Sequence, residues 1–157
     1  MRKIALIGLI ALVGCGFEPV YGTDGKATAL RNAVSFSAPD TISGFRLRDR
    51  LEDRLGRAIT SKFTLTIKLE QSLRPATITT DGDTTRFYLV GSAVWVLRDT
   101  LGASLTSGSV ETFTSYSATG STVATEAAAK DADSRLSVAL ADLIISRLML
   151  AASALPQ

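Results

Sequence analysis

One absence and one thiol limit the chemistry open to this chain. It has a single cysteine, Cys15, and no histidine in 157 residues. Without imidazole it lacks the usual general base, the usual metal ligand and every Ser–His or Cys–His pairing. Carboxylates are the remaining route to acid–base work. Asp81 and Asp83 flank Gly82 in a Thr-rich stretch, and Asp-Gly-Asp there is the chemistry of a solvated turn. Calcium would need more oxygen ligands at loop spacing than the segment offers. With one cysteine no intrachain disulfide can form, so stability must come from packing. The expectation is a protein without catalytic apparatus, metal or cofactor, whose one reactive side chain is Cys15.

The residues around Cys15 say what the thiol is for. Arg2 and Lys3 form a basic start, Ile4 to Val13 is an apolar run broken only by Gly8, and Leu12-Val13-Gly14-Cys15 closes it. About ten apolar residues are too few to span a hydrocarbon core of roughly 30 Å as a helix. No stop-transfer pattern follows, so the segment reads as an export signal that is removed. An Ala-x-Ala-like site is missing. The Leu-Val-Gly-Cys ending is that of a lipobox, which makes Cys15 the residue that is lipidated and becomes the new N-terminus. Each methylene of an acyl chain adds about 0.8 kcal/mol of membrane affinity, and two or more chains make a stable anchor. Gly16, rather than an aspartate, follows the cysteine, which points to the outer membrane rather than retention at the inner one.

Removing residues 1–14 leaves 157 − 14 = 143 residues, the size of one domain with a sizeable core. The chain has 17 basic and 15 acidic side chains. Arg2 and Lys3 leave with the signal, so the mature chain balances fifteen against fifteen. That neutrality, together with export, excludes a nucleic-acid partner. Any anionic ligand must be met by a local patch. The expected organisation is a cleaved signal at 1–14, a lipidated tether at 15–30, a single domain at 31–152 and a tail at 153–157.

The elements that must carry such a patch are legible from periodicity. Gly16 to Lys26 is rich in Gly and Pro and reads as tether. Asn32 to Ser37 is a short strand candidate ended by Pro39. From Gly44 to Thr60 the period becomes helical, with Leu47, Leu51, Leu55, Ala58 and Ile59 on one side and Ser43 or Thr41 available as cap. Five arginines on this helix are interleaved with Asp49, Glu52 and Asp53, which favours a solvated face over a lipid-phosphate surface. Phe63 to Glu70 then alternates cleanly, with Phe63, Leu65, Ile67 and Leu69 on one face. Strand, helix and strand with short links form a crossover unit whose strands should be parallel.

Gln71 to Thr85 reads as a contact loop of about fifteen residues, longer than ordinary connections. Arg86 to Arg98 is the strongest strand, with Phe87, Leu89, Ala93, Trp95 and Leu97 facing one way and Tyr88, Val90, Val94 and Val96 the other. Apolar residues on both faces predict a central strand or one whose second face meets a partner. Asp99-Thr100-Leu101-Gly102 turns the chain into a Ser/Thr-rich strand at 103–118, completing a hairpin. A long helix from about Thr122 to Ala152 ends the domain. Ala132, Leu136, Ala139, Leu140, Leu143 and Ile144 form its main apolar face. Val138, Ala141 and Ile145 form a second patch nearly opposite, which is either a surface for a partner or ordinary scattered exposure.

The expected fold class is therefore α+β, two helices packed on a mixed four-stranded sheet in the order strand, helix, three strands, helix. At this point a family resemblance can be stated. Cys15-Gly16-Phe17-Glu18-Pro19-Val20-Tyr21-Gly22 is similar to the mature N-terminus of the LPS-assembly lipoproteins of the LptE family. The element order matches as well, and so, loosely, do Ser115-Tyr116 and Asp131-Ala132-Asp133-Ser134-Arg135.

The resemblance implies an α+β plug inside the outer-membrane β-barrel LptD, which helps that barrel assemble and contacts lipopolysaccharide. No motif transfers the family's lipopolysaccharide contacts residue by residue. On charge and position the ligand-binding candidates are Lys68, Arg86 and Arg98, although each taken singly reads first as a solvated charge or an ion-pair partner. The partner-interface candidates are Val138, Ala141 and Ile145. The competing readings are a stand-alone periplasmic lipoprotein that binds an amphiphile or cell-wall component, and an outer-membrane enzyme using carboxylates.

Overall fold

The computed structural model describes residues 29–78 and 84–152. Cys15, the signal, most of the tether, Asp81, Asp83 and the tail lie outside the described residues. The elements are β1 (Val34–Ser37), α1 (Ile42–Leu55), β2 (Phe63–Ile78), β3 (Thr84–Asp99), β4 (Ser104–Ser117) and α2 (Thr122–Ala152). They form one mixed sheet in the order β1-β2-β3-β4, with β1 parallel to β2 and the other neighbours antiparallel. This is the expected two-helix, four-stranded α+β arrangement, with the parallel β1–α1–β2 crossover and β3 central.

Helix α1 starts where its sequence provides a cap. The Thr41 hydroxyl oxygen accepts the Gly44 N–H at 3.1 Å, satisfying one of the first-turn donors. It ends at Gly56, whose φ of 82° is left-handed and thus suited to glycine. The helix expected to reach Thr60 therefore stops five residues early. Ala58 and Ile59 leave the apolar stripe, and Ile59 is exposed. Arg57, four residues beyond Asp53 but past the end of the helix, donates to Glu52. That pairing raises the guanidinium's pKa through the hydrogen bond and then the charge.

The stretch expected to be a contact loop is mostly strand. β2 continues from Gln71 to Ile78, and pairing with β3 runs out to Ile78↔Thr84. Pro75 is tolerated inside it for a geometric reason. The Phe63 N–H donates to the Ala33 carbonyl on the β1 side, so odd positions of β2 direct their backbone groups away from β3. Pro75 is odd and lies beyond Thr66, where β1 pairing ends. Its missing N–H faces an edge and costs no ladder bond. A register shift follows between Pro75 and Thr77.

Both helices pack on one face of the sheet. Leu65, Ile67, Ala93, Trp95 and Leu97 from the strands meet Leu47, Leu51 and Leu55 of α1 and Leu136, Leu140, Ile144 and Leu148 of α2, all buried. At Gly91 a Cβ would sit 2.9 Å from a Leu136 methyl and 3.0 Å from one of Leu140. The helix backs onto the sheet there. The helices are also tied to each other. Asp133 accepts Ser43 Oγ at 2.7 Å, Arg46 Nη1 at 2.8 Å and Gln71 Nε2 at 2.9 Å. Arg50 donates in fork geometry to Asp142 at 3.0 and 3.1 Å, an arrangement that adds orientation to charge.

This helix-to-helix contact corrects one expectation. Ala141 and Ile145 are 0 % and 3 % exposed and belong to the domain's own core, while Val138 is half-buried. The second stripe of α2 is therefore core and not a free surface for a partner. A helix that packs on a sheet and on a neighbouring helix at once needs apolar residues on more than one side.

Candidate ligand-binding face

Strand parity places the three basic candidates on the face that neither α1 nor α2 covers. Because Leu65, Ile67, Ala93, Trp95 and Leu97 point to the helices, the even positions of β2 and β3 point the other way. Lys68, Arg86 and Arg98 are all even, as are Tyr88, Val90, Val94 and Val96. In β4 the register reverses the parity. Phe113 opposes Val90 and Ser109 opposes Val94, so odd β4 residues share this open face.

Large apolar side chains stand exposed on either side of the middle of this face. Tyr88 is 40 % exposed, Val94 51 % and Phe113 61 %. The rings of Tyr88 and Phe113 meet edge to face at 5.2 Å between centroids, a favoured aromatic geometry. Alternation alone would have put polar residues at these positions on a solvated sheet face. Their presence marks a surface built to meet something apolar.

The cations are arranged at the two ends rather than as one cluster. Arg98 opposes Thr64, and Lys68 opposes Val94, four residues along β3 from Arg98. Arg86 lies twelve residues away on β3, about 40 Å at strand rise. The register also brings in a residue that the periodicity of a presumed loop had hidden: Arg74 opposes Tyr88, two positions from Arg86. The face thus has a Lys68/Arg98 end and an Arg74/Arg86 end, with the aromatic pair nearer the second. Arg86 donates to Ser115 Oγ at 3.5 Å. Among the described residues none of the four has an acidic side chain within ion-pair distance. By contrast Arg46, Arg48, Arg50, Arg57 and Arg135 are engaged by Asp133, Glu52, Asp142 and Asp131.

Glu70 and Glu111 lie on the middle of the same face, opposite Ser92 on either side. Four cations against two carboxylates leave the face with an excess of positive charge. Such a surface, with apolar side chains on either side of an acidic middle row and cations at both ends, fits an amphiphile with separated anionic groups. Among the described residues no three of His, Cys, Asp and Glu gather as a metal site, and no helix is long and apolar enough to cross a membrane.

The LptE family model, described as lipopolysaccharide-assembly, matches residues 31–148. No curated protein matches the chain. Among solved structures, a lipoprotein of Caulobacter crescentus CB15 is similar at 20 % identity and a TM-score of 0.67, over 81 % of this chain and 96 % of that one. Lipoprotein B of Nitrosomonas europaea is similar at 17 % identity and a TM-score of 0.61, over 78 % and 84 %. The rare lipoprotein B of Shewanella oneidensis is similar at 13 % identity and a TM-score of 0.59, over 74 % and 92 %. At these identities the likeness is one of fold.

Proposed function

The chain belongs to the LptE family of lipopolysaccharide-assembly proteins, and from that premise we propose that it is a non-catalytic envelope lipoprotein, anchored to the outer membrane through Cys15. In this reading it forms a plug complex with the β-barrel LptD and contacts lipopolysaccharide. The lipoprotein relatives of the same fold support the envelope setting. The lipobox ending at Cys15 supports the anchor.

The observation that carries the ligand half is the open sheet face. Lys68, Arg74, Arg86 and Arg98 are held on strands without acidic partners among the described residues, toward the ends of a face that also exposes Tyr88, Val94 and Phe113. Phosphorylated headgroups form charge-assisted hydrogen bonds with such side chains, and acyl chains gain by covering Tyr88, Val94 and Phe113. Binding in this mode needs no proton transfer and no covalent step.

Two measurements test the reading. Purification of the full chain from detergent-solubilised outer membranes should bring one large β-barrel at equal stoichiometry. The Lys68→Glu/Arg98→Glu double variant should bind lipopolysaccharide at least tenfold more weakly, corresponding to about 1.4 kcal/mol, and should keep the barrel. Unchanged lipopolysaccharide binding would remove the open face from the reading. Recovery of the chain alone would favour the stand-alone amphiphile-binding lipoprotein instead.

A further inference from the structure

Among the described residues the outer edge of β4 is an unpaired backbone ladder. Ala118 N–H donates to the Thr85 carbonyl at 2.9 Å, and even β4 positions continue that phase against odd β3 positions in the register. Independently, Arg135 of α2 donates to the Ser115 carbonyl at 3.1 Å, which shows that this odd carbonyl points away from β3. N–H and C=O of one residue in an antiparallel strand point to the same side. The backbone groups of Ser107, Ser109, Glu111 and Phe113 are therefore directed outward, and they bond to no other described residue.

An edge of this kind is normally blunted by lysine, proline, a bulge or brevity. β4 is 14 residues long and contains neither lysine nor proline; its one charged residue is Glu111. Its one register shift lies at Leu97/Arg98, beside the hairpin turn. Only the Ser115 end is shielded, by Arg135. From Ser107 to Phe113 the ladder is bare over seven residues, about 20 Å.

The edge also has a wall. A groove of about 470 Å³ runs between Thr106–Ser109 and the end of α2, lined there by Arg147 and Ala151. Arg147 is exposed and has no acidic partner among the described residues. An added strand would place alternate side chains beside Arg147 on the helix side and beside Phe113 on the open-face side. Its own backbone would meet four N–H and four C=O groups.

We propose that the β4 edge pairs with an extended segment of the partner β-barrel, one that carries a carboxylate for Arg147 and an apolar side chain for Phe113. This rests on the barrel reading given above. It assigns the main attachment to β4 and not to the buried second stripe of α2.

Amide exchange on the full-length chain, alone and in the co-purified barrel complex in the same detergent, tests the proposal. Peptides covering Ser107–Phe113 are expected to exchange at least about tenfold more slowly in the complex, since a paired amide must open to exchange. Ser109→Pro removes an outward N–H without touching the β3 ladder. It should leave the melting temperature of the free chain nearly unchanged and lower barrel recovery severalfold.

If the barrel co-purifies but these amides exchange equally in both states, the edge assignment is overturned while the plug reading stands. If no barrel co-purifies with the unsubstituted chain, both fall. Protection that is present without the barrel and grows with protein concentration would show a second copy on the edge and overturn the proposal. Should Ser109→Pro fail to fold, the exchange comparison on the unsubstituted chain decides alone.

Discussion

Trp95 occupies the space that a side chain at Gly108 would fill. A Cβ added to Gly108 would stand 2.7 Å from Cζ2 and 3.0 Å from Cε2 of the indole, across the β3–β4 register pair Trp95↔Gly108. The two residues are one packing unit, a large ring over a bare backbone. An indole is rigid and Trp95 is buried, so it cannot swing aside as a leucine tip could. Gly108→Ala is expected to destabilise the domain by about 1–3 kcal/mol through overpacking, read as a lowered denaturant midpoint with an unchanged slope. A neutral outcome would mean that the ring has room to move.

The two stripes of α2 should behave alike. Leu140 and Ile145 are both buried, so Leu140→Asp and Ile145→Asp each place an unpaired charge in the core and should cost several kcal/mol. Val94→Asp, on the open face, should leave the melting temperature nearly unchanged. A stable Ile145→Asp variant would restore that position to the surface.

Asp133 joins three parts of the chain, and its removal should loosen all of them. It holds Ser43 and Arg46 of α1 and Gln71 of β2. Asp133→Ala leaves these donors part-exposed and able to take water rather than sealed, so the cost should be about 0.5–1.5 kcal/mol. Thermal melts of Asp133→Ala, Arg46→Ala and the double variant measure the coupling. Strict additivity would show that the bond contributes no pairwise energy.

Anchoring should depend on one atom. Cys15→Ala is expected to abolish lipid labelling and to leave the precursor uncleaved, because the thiol is both acylation point and cleavage mark. Fractionation of cells expressing the variant, with radiolabelled palmitate, tests this, and unchanged labelling would refute it.

The relation between chain and fold divides by the range of the forces involved. The sequence by itself determined what depends on neighbours within a few residues. The Thr41 cap, the leucines of α1 at helical spacing and the alternation from Phe63 to Leu69 are of this kind, because a capping bond or a pleat involves only adjacent turns. The absence of histidine and the Leu-Val-Gly-Cys ending at Cys15 are likewise properties of the chain alone. The tertiary structure decided what depends on distant partners. The stretch from Gln71 to Ile78 becomes strand because β3 is there to pair with it, and Pro75 survives because β1 stops short of it. Ala141 and Ile145 are core because α1 crosses α2, a contact carried by Arg46 and Arg50 reaching residues about ninety positions away. Lys68 and Arg98 share a face by parity, yet only the Lys68↔Val94 register brings them to the same end of it. Periodicity says which way a side chain points, and only long-range pairing says what it points at.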